Sequence, residues 1–313
     1  MNDRLVAALT ACAPRLPVGV AFSGGADSMA LLAIAARHWP GQVHALHVNH
    51  GLQQAAEDFE RHCAKACERW RVPLHVEHAN ARHAPGDSPE EAARHARYRS
   101  LAALATANGL GAVLLAQHAD DQVETLLLAL SRGAGLPGMA AMPARFERHG
   151  VLFLRPWLDV PGVDLRAWLA SEGLRAIEDP TNNDIRYTRN RIRHGVVPAL
   201  AAAFPQYRET FARSARHAAQ AQELLAEVAA QDLAAMQGEP RIGGLQALSR
   251  ARQANVLRHW LAIRHAARAS TAQMDELLDQ VACCTTRGHD VRLRVGDGFV
   301  QRQDDRLAWS PSV

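Results

Sequence analysis

The order of apolar and polar positions divides the chain into two stretches of different rhythm. In the first, short apolar runs alternate with longer amphipathic ones. Leu5, Leu9 and Cys12 mark a helical stripe over residues 1–16, and Val18, Val20, Ala21 and Phe22 form a run short enough for a buried strand. A helix is expected from Met29 to about Trp39, where Pro40-Gly41 breaks it. Further strands are expected over 42–48, 73–76, 111–116 and 151–154. Helices are expected over 58–70, with Phe59, Cys63 and Ala66 inward, and over 90–107, 121–130 and 163–172. Residues 80–89 read as a polar loop, and 131–139, with three glycines, as a flexible one. Strands alternating with helices imply an α/β domain, a parallel sheet with helices on both faces.

The second stretch is mainly helical. Residues 178–193 are polar and irregular, then helical. A long alanine-rich helix is expected over 211–236 with Leu224, Leu225 and Val228 as its apolar stripe, ended by Gly238-Glu239-Pro240. Helices over 245–266 and 271–281 follow, then a hairpin over 289–309 that turns at Gly296-Asp297-Gly298. The expected organisation is a larger N-terminal domain over 1–215 and a smaller, mainly helical C-terminal domain over 216–313 with a terminal hairpin; the boundary falls between 205 and 222.

Composition narrows the picture modestly. Of 313 residues, 48% are hydrophobic and 21% charged, as in ordinary globular proteins. No apolar run reaches membrane-spanning length, and Met1-Asn2-Asp3-Arg4 does not open a secretory signal. The five cysteines are an odd number, and neither Cys63/Cys67 nor Cys283-Cys284 has a metal-site spacing, so a cytoplasmic protein without a disulfide framework is expected. The net charge of +3 rests almost wholly on arginine, since Lys65 is the one lysine. Genome composition accounts for that as readily as nucleic-acid binding does.

Three motifs carry candidate chemistry. Ser23-Gly24-Gly25-Ala26-Asp27-Ser28 sits between the first strand and a helix. Adjacent glycines and a helix N-terminus suit a phosphate, and Asp27, which phosphate alone would repel, suggests a metal ion or a cationic substrate nearby. Asp27 or Ser28 capping the helix is the competing reading. The usual nucleoside triphosphate loop is excluded, because no Gly-Lys-Ser/Thr is present. His118-Ala119-Asp120-Asp121-Gln122-Val123-Glu124-Thr125 gathers acids at a helix start, with Asp121 and Glu124 on one face. Helix capping explains them alone; opposite a phosphate loop, metal or ammonium binding explains them better. The third group is arginine-rich. Glu91, Arg94 and Tyr98 share a helical side that also suits a solvated face, and Arg186, Arg189, Arg191 and Arg193 surround Tyr187 and Asn190. Such a run fits phosphate and base contacts, or simply a helix end decorated with cations. Gly24-Gly25, His50 and His118–Asp120 all fall at strand ends, where ligands of parallel sheets bind.

The loop resembles the SGGxDS loop of the N-type ATP pyrophosphatases, the PP-loop superfamily, whose fold is adenine nucleotide alpha hydrolase-like, or Rossmann-like. SGGADS, HVNHGL, EEAARHARYR, AQHADDQVETLLLALSRGAGLPGM, RPWL and DPTNNDIRYTRNRIRHGVVPAL occur in that order over about residues 18 to 200, and together they resemble the tRNA(Ile)-lysidine synthetase family. The resemblance implies a ligase that adenylates the wobble cytidine of tRNA(Ile) with a CAU anticodon, using ATP and Mg2+. L-lysine then joins C2 of the cytosine, with release of AMP and pyrophosphate, and the codon read changes from AUG to AUA. It implies Ser23, Gly24, Gly25, Ala26, Asp27 and Ser28 for ATP, with Asp27 at the magnesium and, with Asp121, catalytic. Asp121, Glu124 and Arg189 would bind lysine, and Arg94, Arg97, Arg186, Arg191 and Arg193 the tRNA. A homodimer is left open. The chain stops at Val313, so a shorter form of the family, or a truncated one, is expected. The alternatives are a PP-loop tRNA thiolase, which would need reactive or cluster-binding cysteines, another adenylating tRNA-modifying enzyme, or a non-catalytic RNA-binding module, which would not need the acid cluster opposite a phosphate loop.

Overall fold

A computed structural model describes residues 2–49, 56–78, 89–177, 184–286 and 288–312, with the side chains of residues 2, 56–59 and 89–91 left out. The expected loop over 80–89, His50-Gly51-Leu52, the inward Phe59, Glu91 and Asp179-Pro180-Thr181-Asn182-Asn183 therefore lie outside the described residues and side chains. The chain divides into two compact units, Met1–Arg216 and His217–Val313.

The first unit is built on a six-stranded sheet in the order β3-β2-β1-β4-β6-β5. Its strands are β1 (Val18–Ala21), β2 (Val43–Asn49), β3 (Leu74–His78), β4 (Ala112–Leu114), β5 (Arg145–Arg148) and β6 (Val151–Leu154). All neighbours are parallel except β5, which pairs antiparallel with β6. The helices are α1 (Asn2–Ala11), α2 (Ala26–His38), α3 (Ala56–Trp70), α4 (Pro89–Ala107), α5 (Ala119–Ser131), α6 (Leu136–Met139) and α7 (Gly162–Ser171). After them come α8 (Thr188–Arg191), a π-helical turn (Ile192–Val196) and α9 (Val197–Ala203). One face of the sheet is closed by Leu5, Leu9, Met29, Leu32, Trp157 and Trp168 and the other by Tyr98, Leu101, Ala105 and Phe153, so helices cover both faces. Each fully buried leucine there contributes about 1.5–3 kcal/mol of transfer free energy.

Two local patterns were not expected. β5 holds a single large apolar residue, Phe146, which stacks on Phe153 at 5.3 Å. Its hairpin with β6 turns through His149 and Gly150, both at positive φ (51° and 73°), as a tight hairpin turn demands. Within the expected flexible loop, Leu136–Met139 forms a helical turn with Pro137 near its start.

Strand order matters most for function. From β1 the chain winds outward through β2 and β3, then returns to β4 on the opposite side of β1. The crevice between the carboxyl ends of β1 and β4 is thus the switch point at which such sheets bind ligands.

The long helix α10 (Tyr207–Ala235) passes from the first unit into the second. Its expected stripe is corrected: Leu224 is 61% and Leu225 37% exposed, whereas Ala229, Leu233 and Met236 are buried. Adjacent leucines sit about 100° apart on a helix, so Leu224 cannot share the 229/233/236 face. The second unit continues with α11 (Ile242–Gln246), α12 (Arg250–His265) and α13 (Thr271–Cys283). The expected helix over 245–266 is split because Ser249 caps α12, its hydroxyl accepting from the Arg252 N–H. The terminal hairpin is a three-stranded meander of β7 (Arg292–Val295), β8 (Gly298–Gln303) and β9 (Arg306–Pro311). No described helix is long and apolar enough to cross a membrane.

Candidate functional site

The loop after β1 is organised by its own hydroxyls and by the strand beside it. His47 Nδ1–H donates to the Phe22 carbonyl (2.8 Å), holding the end of β1 where the loop departs. Gly24 takes φ +81°, and a Cβ there would lie 3.2 Å from Cys63 Sγ. The N-cap of α2 is Gly25, not Asp27 or Ser28, and among the described residues no side chain caps it. Ser28 Oγ donates back to the Gly25 carbonyl (3.0 Å) and accepts the Ser23 N–H (3.2 Å). The serines thus shape the loop and leave the first turn of α2 to an anion.

Opposite, the α5 N-terminus carries the acids. His118 is its N-cap: Nδ1 accepts the Asp120 N–H (3.3 Å), and the His118 N–H donates to Asp121 Oδ2 (3.0 Å). The ring is buried, with Nε2 3.5 Å from Asp27 Oδ2 and 3.6 Å from Asp121 Oδ2, so one imidazole links the loop to the acids. Burial alone would lower the His118 pKa, but Asp27, Asp121 and Asp120 around it raise it above the ordinary histidine value. Asp27 Oδ1 is buried and has no hydrogen-bond partner among the described residues. An orphaned carboxylate oxygen within a phosphate loop suits a cation.

The acids have distinct partners. Asp120 accepts from Arg208 Nε (2.6 Å), the Tyr207 hydroxyl (3.3 Å) and the Gly162 N–H (2.8 Å). Burial would raise it, yet the Gly162 N–H and Arg208 hold it below the usual carboxylate range. Asp120 is thereby a bracket between α5, α7 and the start of α10. Glu124 is 1% exposed and is gripped by Arg193, Nε to Oε1 at 2.7 Å and Nη2 to Oε2 at 3.1 Å. Burial pushes its carboxyl up, against the pull of Arg193. Asp121 lies 3.7 Å from the same guanidinium.

The arginine run is divided by this geometry. Arg189 and Arg193 turn toward α5, Arg189 reaching Thr125 Oγ1 (3.4 Å) with its buried Nε unpartnered among the described residues. Arg186, paired with Asp184 at 2.7 Å, and Arg191, on Thr188 at 2.9 Å, are exposed. Arg94 and Arg97 lie 5.9 and 5.6 Å from the Tyr98 ring. With Ala93, Gln117, Met142 and Arg189 these three line a cavity of about 270 Å³.

Three residues of the site were not singled out by sequence reasoning. His118 stood only as a neighbour of the acids, although a histidine beside three carboxylates was a signal. Arg208 is 88 positions from Asp120, and nothing local pairs them. Arg155 of the RPWL motif is 3% exposed and bonds Gln117 (3.0 Å), the Pro143 carbonyl (2.7 Å) and the Tyr98 hydroxyl (3.0 Å), so it supports the cavity wall from behind. The cysteines form no disulfide. All five are free, and burial pushes the Cys63 and Cys67 thiols up to about 12.

Comparison with known proteins shows what the chain is similar to. Residues 3–200 match the PP-loop domain family, and residues 241–308 match the TilS substrate binding domain. A tRNA(Ile)-lysidine synthase of Polaromonas naphthalenivorans is 61% identical over 95% of this chain and 90% of its own length. Another, of Bordetella pertussis, is 42% identical over 93% of this chain and 94% of its own. Among solved structures, the U34-tRNA thiolase NcsA from Methanococcus maripaludis superposes with a TM-score of 0.59 at 13% identity, over 69% of this chain and 77% of that one, a likeness of fold alone.

Proposed function

The chain belongs to the tRNA(Ile)-lysidine synthase family, an ATP-using ligase family, and on that premise we propose how its residues divide the reaction. The substrates are ATP, L-lysine and tRNA(Ile) bearing CAU, and the reading carries with it a cytoplasmic location. Ser23 to Ser28 cradle the β- and γ-phosphates at the α2 N-terminus. The wobble cytosine O2 attacks the α-phosphorus, the bond to the pyrophosphate oxygen breaks, and pyrophosphate departs. The lysine ε-amine then attacks C2 and AMP leaves with the former O2. Asp27 would hold a magnesium ion through its orphaned oxygen, and bound there the ion would offset charge on the pyrophosphate.

Asp121 and Glu124 take the ammonium charge of lysine, and Arg189 its carboxylate, as charge-assisted pairs. Arg94 and Arg97 flank the splayed nucleotide, while Arg186 and Arg191 contact RNA phosphates. The observation that carries the reading is the Asp27–His118–Asp121 chain, with contacts of 3.5 and 3.6 Å between the phosphate loop and the acid helix. Two half-reactions need two adjacent sites, and His118 is the side chain between them.

The test is incorporation of labelled lysine into a tRNA(Ile) transcript with CAU, run with ATP beside a transcript of altered wobble base. Lysine joined to the first alone, with one pyrophosphate released per lysine, is expected. Pyrophosphate release without lysine incorporation would refute the proposal.

A further inference from the structure

If Asp121 and Glu124 form the ammonium site, that site already holds a cation supplied by the chain itself. Both Glu124 oxygens are engaged by Arg193, at 2.7 and 3.1 Å, and the guanidinium also lies 3.7 Å from Asp121. A carboxylate that is 1% exposed has no room for a second cation in the same plane, so lysine and Arg193 compete for it.

The arginine has a way out. Its side chain is 40% exposed, so leaving Glu124 means entering water and not another desolvated pocket. Its backbone lies in the π-helical turn Ile192–Val196 between α8 and α9. A π turn holds one residue more than the α register, and relaxing it would swing neighbouring side chains round the helix. Arg189, one turn earlier, keeps a buried Nε without an acceptor among the described residues. A lysine zwitterion would supply what the exchange lacks: an ammonium for Glu124 as Arg193 departs, and a carboxylate for Arg189. Outside, Arg193 would join Arg191, which is exposed on the same segment, where an RNA phosphate is the natural acceptor.

We propose that Arg193 is an internal stand-in for the lysine ammonium, closing the site in the free enzyme and leaving Glu124 when tRNA engages it. The proposal rests on Glu124 belonging to the lysine site. It makes Arg193 a residue that sets lysine affinity and couples it to tRNA, and coupling of this kind is reciprocal.

Equilibrium dialysis of labelled L-lysine without ATP, with and without the tRNA(Ile) transcript, tests it. The stand-in role requires the open state of the free enzyme to be a minority, of about 10% or less, so tRNA should tighten lysine binding to the wild-type protein at least about tenfold. Arg193→Gln should bind lysine that tightly already, with no further gain from tRNA. Wild-type or weaker lysine affinity in Arg193→Gln would overturn the proposal. Should that variant fail to fold with Glu124 unpaired, Arg193→Lys, which keeps the charge and loses the two-point grip, should bind lysine more tightly than wild type; unchanged affinity there would overturn it equally. Glu124→Gln separates the two ideas. If it leaves lysine binding intact, the lysine site is elsewhere and the underlying reading fails; if it abolishes binding while Arg193→Gln changes nothing, only the stand-in role fails.

Discussion

Gly162→Ala tests whether the histidine between the two half-sites is held as tightly as the geometry implies. A Cβ on Gly162 would sit 2.7 Å from His118 Cε1, 2.9 Å from His118 Nε2 and 3.1 Å from Asp120 Oδ2. Carbon contacts are comfortable at about 3.5–4.0 Å, so the ring must retreat by roughly 0.8 Å. It has little freedom to do so: Nδ1 accepts the Asp120 N–H, and Nε2 faces Asp27 and Asp121. Overpacking of this kind costs about 1–3 kcal/mol. At about 2–4 °C per kcal/mol for a domain of this size, Tm should fall by roughly 2–12 °C. Turnover should suffer more, because a misplacement near 1 Å at a reacting centre costs about a hundredfold. Thermal unfolding and tRNA-dependent pyrophosphate release read the two effects. Gly243→Ala is the control, since nothing lies within 4 Å of its Cβ and its φ is not positive; its Tm should hold or rise. Gly162→Ala with wild-type Tm and wild-type turnover would refute the close packing around His118.

Two further predictions follow from the same geometry. Replacing the exposed Arg186 and Arg191 by glutamine should weaken tRNA binding and flatten its salt dependence by about 0.7–0.9 per lost phosphate contact, measured by filter binding across a salt series; an unchanged slope would move the RNA path elsewhere. The pH dependence of stability should carry a His118 component. Its folded-state pKa is raised, chiefly by Asp27 and Asp121 working against burial, so its contribution is fully present below about pH 6.5 and is lost as pH rises through the higher folded value. Denaturant titrations from pH 6 upward should show that loss in the wild-type protein and not in His118→Gln.

The legible parts of this molecule were those written in local pattern. The apolar run before Ser23, the glycines after it and the acids at the head of α5 are each contiguous, and alternation of strands with helices carries them to one sheet edge. What was not legible depends on tertiary placement. β5 reads Arg-Phe-Glu-Arg, too polar to announce a strand, and forms because Phe146 finds Phe153 across the hairpin. Leu224 and Leu225 look like a core stripe, yet packing chose Ala229, Leu233 and Met236. The arginine run shows the same limit at the site. Spacing makes Arg189 and Arg193 neighbours on one helical face, but the π turn between α8 and α9 and the burial of Glu124 decide which of them grips it. Arg208 reaches Asp120 only because α10 begins beside the head of α5.

The central claim is that the phosphate loop serves adenylation while Glu124 serves lysine, with distinct residues for distinct half-reactions. The direct measurement is a paired assay on Asp27→Asn and Glu124→Gln, following tRNA-dependent pyrophosphate release and labelled-lysine incorporation while ATP and lysine are titrated separately. Asp27→Asn should lose both activities while keeping its fold. Glu124→Gln removes a charge-assisted contact worth about 1.5–3 kcal/mol. Its lysine requirement should therefore rise by roughly one to two powers of ten, while pyrophosphate release falls far less. An unchanged lysine requirement in Glu124→Gln, or equal loss of both activities in the two variants, would contradict the account.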